Sequence, residues 1–202
     1  MRNPELICFE GLPASGKTTL IRQIAGEYPS HFSAINEYIH PALLKDPDIN
    51  GQQVFIENDE LKYQLARECG KRCLMDRGHL STVLYSHAET MIKGEKDLSY
   101  VDDWYFDKIL KARMLPDLYV LLDIPAELSL ARRNNPFDSN NIWDYITALK
   151  YARSKYHEYM RVFESDVPVL VLDSESMSLP LLKQNILSLL SVNTGYRAIS
   201  PL

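Results

Sequence analysis

Gly11-Leu-Pro-Ala-Ser-Gly-Lys-Thr18 fits the spacing Gly-x-x-x-x-Gly-Lys-[Ser/Thr], and the chemistry of that pattern is phosphate capture. Its glycines let the backbone turn N–H groups inward onto phosphate oxygens, and the helix that starts there adds the positive end of its dipole. In that frame Gly11, Pro13, Ala14, Ser15, Gly16, Lys17, Thr18 and Thr19 wrap the phosphates of a nucleoside triphosphate, taken as ATP. Lys17 should bridge the β- and γ-phosphates, and Thr18 should hold Mg2+ through its hydroxyl.

Further charged residues fall where strands are expected to end. Asp76-Arg77 follows the run from Arg72. Asp76 could orient the Mg2+ shell or accept a proton, and Arg77 could stabilise charge on a transferred phosphoryl; a plain surface ion pair is the alternative. Glu37 lies after a second short apolar run, as a general base for an acceptor or as a solvated loop carboxylate. Arg132 and Arg133 open a polar stretch that reads as a closing lid over 132–142, carrying guanidinium groups to the γ-phosphate. Arginines in a last helical turn also suit the helix dipole without any such role. Phe55, Asn58, Tyr63, Tyr85 and Trp104 could stack on or hydrogen-bond an acceptor ring, or pack the core. The histidines at 31, 40, 79, 87 and 157 show no ligand spacing and read as surface or structural.

The elements that must position these residues alternate. Leu6–Phe9 reads as a strand, then the Gly-rich turn, then a helix over 18–27 with Leu20, Ile21, Ile24 and Ala25 on one face. Ser33–Asn36 and Arg72–Asp76 read as strands on either side of a helix over Gln52–Cys69, which Gly70 stops. Helices follow over Leu80–Ile92 and Val101–Met114, the latter stopped by Pro116. Leu118–Asp123 reads as a fully buried strand, with Pro125 opening the next helix. A long helix over Trp143–Phe163, a strand over Val167–Leu172 and a helix around Leu181–Leu190 complete the chain. Repeated β-α order calls for a parallel sheet covered on both faces, with chemistry outside the carboxyl ends of its strands.

The 202 residues suit one domain over 1–192 with a small lid and a loose tail over 193–202. A composition 46% apolar and 24% charged is that of an ordinary globular domain. The net charge of −5 argues against nucleic acid as partner and for a small acceptor. No run is long enough to span a bilayer and no secretory signal opens the sequence, so a cytoplasmic protein is expected. Cys8, Cys69 and Cys73 lack metal-ligand spacing and read as buried free thiols.

Three motifs then carry a resemblance: Phe9-Glu-Gly-Leu-Pro-Ala-Ser-Gly-Lys-Thr-Thr19, Asp76-Arg77, and Pro116-Asp-Leu-Tyr-Val-Leu-Leu-Asp-Ile-Pro125 with its arginine-ended helix. Over nearly the whole chain they resemble the thymidylate kinase and deoxynucleoside kinase superfamily of P-loop enzymes. The resemblance implies a three-layer α/β/α fold with a five-stranded parallel sheet in the order 2-3-1-4-5, and a homodimer formed through helices. Asn36-Glu-Tyr-Ile-His-Pro41 is similar to the acidic segment of deoxynucleoside kinases and lacks the Arg-Glu-Pro-Gly-Gly run of thymidylate kinases. That favours a hydroxyl acceptor with Glu37 as base. Two departures stand out: Gly78 replaces the Ser that follows in deoxynucleoside kinases, and Asn134-Asn-Pro-Phe-Asp-Ser-Asn-Asn141 replaces a basic lid.

The leading expectation is a Mg2+-ATP-dependent kinase acting on a hydroxyl of a nucleoside or nucleoside-like molecule. A nucleoside monophosphate kinase and an antibiotic-modifying phosphotransferase share the same motifs. A non-catalytic ATP sensor is the remaining alternative, whereas a GTPase switch would need an Asn-Lys-x-Asp motif that the sequence lacks.

Overall fold

In the computed structural model the residues described are 5–41, 43, 51–94, 97–111 and 114–190; the tail expected over 193–202 lies outside them. Five parallel strands form one sheet in the order β2-β3-β1-β4-β5. They are β1 (Leu6–Glu10), β2 (Phe32–Ile35), β3 (Arg72–Asp76), β4 (Leu118–Asp123) and β5 (Val169–Asp173). The order matches the one the resemblance implied.

Alternation along β1 builds two cores. Leu6 and Cys8 face one layer, with α2 (Gln52–Glu68), α3 (His79–Lys93), α4 (Ser99–Trp104) and α6 (Ile146–Phe163), while Ile7 and Phe9 face α1 (Lys17–Glu27) and α7 (Leu179–Leu189) on the other. Every residue of β1 is buried, as are the first five of β4, because helices on both sheet faces leave a central parallel strand no solvent side. β1 runs one residue beyond its expected end and so takes in Glu10.

The register sets the site. Phe9 pairs with Asp76, and Asp123 at the end of β4 pairs with Asp173 of β5. The carboxyl ends of β1, β3, β4 and β5 therefore share one edge, from which the loops to α1, α3, α5 (Ala126–Arg133) and α7 depart.

Three local expectations need correction. The helix expected over Val101–Met114 is α-helical only through Trp104 and continues as a π-helix over Tyr105–Lys111; the wider turn lets the adjacent Trp104 and Tyr105 both face the core. The helix expected from Trp143 is preceded by a separate 3-10 turn over Ile142–Asp144, and α6 begins at Ile146. The Asn141 side chain accepts from Trp143 N–H and Tyr145 is extended, which breaks the helix between the two. Finally, Cys8 and Cys73 are buried thiols as expected, but Cys69 is only part-buried, and the Cys73 thiol donates to its sulfur at 2.7 Å. Among the described residues no helix is long and apolar enough to cross a membrane.

Candidate active site

The phosphate loop is a turn whose carbonyls are tied from outside. Ser129 Oγ donates to Pro13 O at 2.7 Å, Arg132 reaches Ala14 O at 3.5 Å, and Ser174 Oγ donates to Ser15 O at 2.6 Å. Those bonds from α5 and the β5–α7 loop fix the shape of the turn, within which the Ser15 N–H donates to Leu12 O at 3.3 Å. Gly11 has φ 135°, and a Cβ there would meet Leu122 O at 2.4 Å, so no side chain fits. Gly16, at φ 98°, gives way directly to α1.

Lys17 folds back over this loop. Its ammonium donates to Gly11 O at 3.0 Å, Leu12 O at 2.8 Å and Ser15 Oγ at 3.2 Å. Burial, reinforced by the Arg77 charge, brings it down to about 7 against the pull of Asp76, Glu37 and Glu10. Because burial weakens its charged form, this ammonium stands to gain from an arriving anion.

Thr18 and Asp76 meet at the foot of the loop, where the Thr18 hydroxyl donates to Asp76 Oδ2 at 2.5 Å. The other carboxylate oxygen, Asp76 Oδ1, is buried without a hydrogen-bond partner. One hydroxyl and one orphaned carboxylate oxygen beside a phosphate loop fit a Mg2+ that takes its remaining ligands from phosphates and water. The described residues contain no cluster of three or more His, Cys, Asp or Glu that would enclose a metal alone.

Arg77 occupies the left-handed region at φ 61°, which turns its side chain across the mouth of β1. Its guanidinium donates to Gly11 O at 3.1 Å and Ser81 Oγ at 3.2 Å, and Arg77 Nε lies 2.6 Å from Glu37 Oε1. Burial pushes the Glu37 carboxyl up, but the charge and hydrogen bond of Arg77, with Lys17 and Lys62, leave it below its ordinary value. The structure thus brings Lys17, Thr18, Glu37, Asp76 and Arg77 together.

Two cavities adjoin this group. One, of about 380 Å3, is lined by Pro13, Ala14, Gly16, Lys17, Thr18 and Thr19. The other, of about 200 Å3, lies between α2 and α3 beneath Phe55, Tyr85 and Trp143. Glu37, Arg77 and Trp143 line both.

The two lid arginines separate. Arg132 braces the phosphate loop, with a second bond to Ser174 O at 3.2 Å. Arg133 is ion-paired with the buried Asp144 carboxylate, which also accepts from Asp138 N–H at 2.8 Å, and it does not line the phosphate cavity. Arg133 therefore fixes the turn that carries Trp143.

Of the ring candidates, Phe55, Asn58 and Tyr85 line the smaller cavity. The Asn58 amide is already engaged, accepting from His40 N–H and donating to Tyr38 O, both at 2.9 Å, and so holds the segment after Glu37. Tyr63 and Trp104 sit in the core behind, against His79: the Tyr63 ring stacks on it at 3.8 Å and Trp104 meets it edge-on at 5.2 Å. Both nitrogens of His79 are buried without partners, and burial holds the ring well below its ordinary pKa.

Sequence reasoning passed over four participants. Glu10 is wholly buried and accepts from Gly78 N–H at 3.0 Å and from the Ser81 hydroxyl, which also bonds Tyr156 Oη at 2.8 Å. Burial raises the Glu10 carboxyl, opposed by the Ser81 hydroxyl and the Arg77 charge. Lys62 sends its ammonium from α2 to Asp76 O at 2.9 Å and Arg77 O at 2.6 Å. Asp59 accepts from the Thr82 hydroxyl at 2.6 Å, and Trp143 roofs both cavities. Only the polar run Asn58-Asp-Glu60 inside an otherwise amphipathic helix hinted at buried charge.

A parallel sheet in this order, with a Gly-rich loop ahead of α1 and an Asp-Arg turn beside it, defines a P-loop kinase. No protein-family model matches the chain. The sequence is 25% identical over 189 residues to a probable thymidylate kinase of Metallosphaera sedula, covering 86% of this chain and 91% of that one. A probable thymidylate kinase of Sulfolobus acidocaldarius is 26% identical over 162 residues, 76% of this chain and 81% of its own. Deoxyadenosine kinase from M. mycoides with bound dATP superposes with a TM-score of 0.70 at 15% identity, over 92% of this chain and 98% of that one; its dCTP-bound structure gives 0.64 at 16%, over 93% and 100%. The chain is thus similar in sequence to thymidylate kinases and shares the fold of deoxyadenosine kinase.

Proposed function

We propose that this kinase moves the γ-phosphoryl of Mg2+-ATP to a hydroxyl of a nucleoside or nucleoside-like acceptor. The observation that carries the reading is the Glu37–Arg77 ion pair, standing where the phosphate cavity and the α2–α3 cavity meet. A donor phosphate at Lys17 and an acceptor hydroxyl at Glu37 would approach each other across it.

Thr18 and Asp76 would hold the Mg2+, which when bound would screen the phosphate charge. Lys17 would exchange its loop carbonyls for β- and γ-phosphate oxygens, and Arg77 would meet the charge on the transferred group. Glu37 would orient the acceptor hydroxyl and take its proton, late in a loose transition state. Trp143 would exclude water from the junction.

Charge balance favours a hydroxyl over a monophosphate acceptor. The ionisable lining of the α2–α3 cavity is Glu37 and Asp59 against Lys62 and Arg77. Lys62 is committed to two backbone carbonyls and Arg77 to Glu37, so no surplus cation faces a dianion. The named activity of the deoxyadenosine kinase neighbours agrees with this. That of the thymidylate kinase relatives would require an anionic acceptor.

A coupled ADP-release assay across nucleosides and nucleoside monophosphates tests the reading. Turnover is expected with nucleosides and is expected to vanish in Lys17→Met. Selective turnover of monophosphates would replace the acceptor assignment, and turnover undiminished by Lys17→Met would remove the donor site itself.

A further inference from the structure

Two thiols meet away from the carboxyl edge of the sheet, where α2 turns back into β3. Cys69 is the C-cap of α2, and Cys73 is the second residue of β3, paired with Leu6 at the start of β1. Only Gly70 and Lys71 lie between the cap and the first strand residue, Arg72. Gly70, at φ 65°, takes the left-handed conformation that so short a reversal needs. The reversal sets the Cys73 thiol against Cys69 Sγ at 2.7 Å. A disulfide bond is about 2.05 Å long, so joining the two sulfurs asks for about 0.7 Å of movement. Neither cysteine lines the phosphate cavity or the α2–α3 cavity.

The two sulfurs are not equivalent. Cys69 is part-buried and open to a solute, whereas Cys73 is buried behind it, 3.5 Å from Ala66 O. Burial, with the hydrogen bond to Cys69, pushes the Cys73 thiol up to about 12. One sulfur therefore meets an incoming reagent and the other waits in contact with it. The third thiol, Cys8, is wholly buried on β1 and donates to Glu10 Oε1 at 3.7 Å. It serves as an internal control.

We propose that Cys69 and Cys73 form an oxidation site at which a hydroperoxide makes a reversible disulfide within the chain, Cys69 reacting first and Cys73 resolving it. In the first step Cys69 Sγ attacks the terminal peroxide oxygen and the O–O bond breaks. The alcohol, or water from hydrogen peroxide, leaves with the Cys69 proton, and Cys69 becomes a sulfenic acid. In the second step Cys73 Sγ attacks Cys69 Sγ, the S–O bond breaks, and the hydroxyl departs as water with the Cys73 proton. Two thiols are oxidised and one peroxide is reduced. A thiol already in contact acts at high effective concentration, so it captures the sulfenic acid before a second peroxide carries Cys69 to the irreversible sulfinic state.

The test treats the folded, reduced protein with an equimolar amount of hydrogen peroxide, alkylates the remaining thiols and follows mass. The parent is expected to lose two hydrogens and to regain them with dithiothreitol. Trypsin cuts after Arg67, Lys71, Arg72 and Arg77, so the new bond should hold peptides 68–71 and 73–77 together while Cys8 stays alkylatable. Disulfide should exceed sulfinic acid at Cys69 at least about tenfold. In Cys73→Ala the sulfenic acid at Cys69 should persist or pass to sulfinic acid. In Cys69→Ala, which alters only the part-buried partner and serves if Cys73→Ala does not fold, Cys73 should remain a thiol. Sulfinic acid as the main product in the parent overturns the proposal, as does a bond that joins two copies of the chain or involves Cys8. Oxidation of Cys73 in Cys69→Ala as fast as in the parent overturns the order of the two steps.

Discussion

Arg77 Nε and Glu37 Oε1 are 2.6 Å apart at the junction of the two cavities, so the guanidinium and the carboxylate hold each other in place. Removing only the basicity of Glu37 should separate its two roles. Glu37→Gln is expected to lower kcat by about 100-fold with little change in acceptor KM, at the modest end of general-base effects because proton transfer is late. A kcat within twofold of the parent would exclude Glu37 as the base.

Gly78 sits where a side chain has little room. A Cβ there would lie 2.9 Å from Cys8 Sγ and 3.2 Å from both Met75 Cε and Tyr63 Oη. Gly78→Ala should cost about 1–3 kcal/mol in urea unfolding. Adding Cys8→Ala should recover part of that loss, and strict additivity in the double-mutant cycle would show that the thiol is not the obstacle.

His79 predicts how stability follows pH. Its folded pKa is held well below the ordinary 6.5 by burial, with Lys62 and Arg67 adding to the effect. A base whose folded pKa is depressed carries no penalty above its unfolded value. The penalty appears as pH falls below about 6.5 and grows down to the folded pKa. Thermal midpoints should therefore drop on acidification through that window, and His79→Phe should flatten the drop. An unchanged slope in the variant would trace acid sensitivity to other groups.

The lid arginines should fail differently. Arg132→Ala removes a brace on Ala14 O and Ser174 O and should raise KM for ATP several-fold. Arg133→Ala strands the Asp144 carboxylate beneath Trp143 and should act mainly on acceptor KM and on tryptophan fluorescence. Identical effects of the two substitutions on both substrates would contradict this division.

Much of the frame was legible because its signals are local. A strand followed by Gly11–Thr18 and a helix can be read in a dozen residues, and the apolar run Leu118–Leu122 reports a strand covered on both sides. The residues missed are buried charges whose partners lie far away in sequence. Asp59 and Lys62 belong to no motif, yet their side chains are each only 6% exposed. Periodicity could not show this, because the Lys62 acceptors lie at the carboxyl end of the next strand. Glu10 escaped for the same reason, since its bonds reach α3 across 68 and 71 positions. The pairing of Arg133 with Asp144 depends on a 3-10 turn that the apolar pattern of the following helix had absorbed.

Lys62 is in effect a rivet. Its ammonium joins α2 to the peptide carbonyls on either side of the Arg77 backbone, so the α2 wall of the cavity and the backbone hinge of that guanidinium travel as one piece. Anything that tilts α2 must drag Arg77 off its line with Glu37.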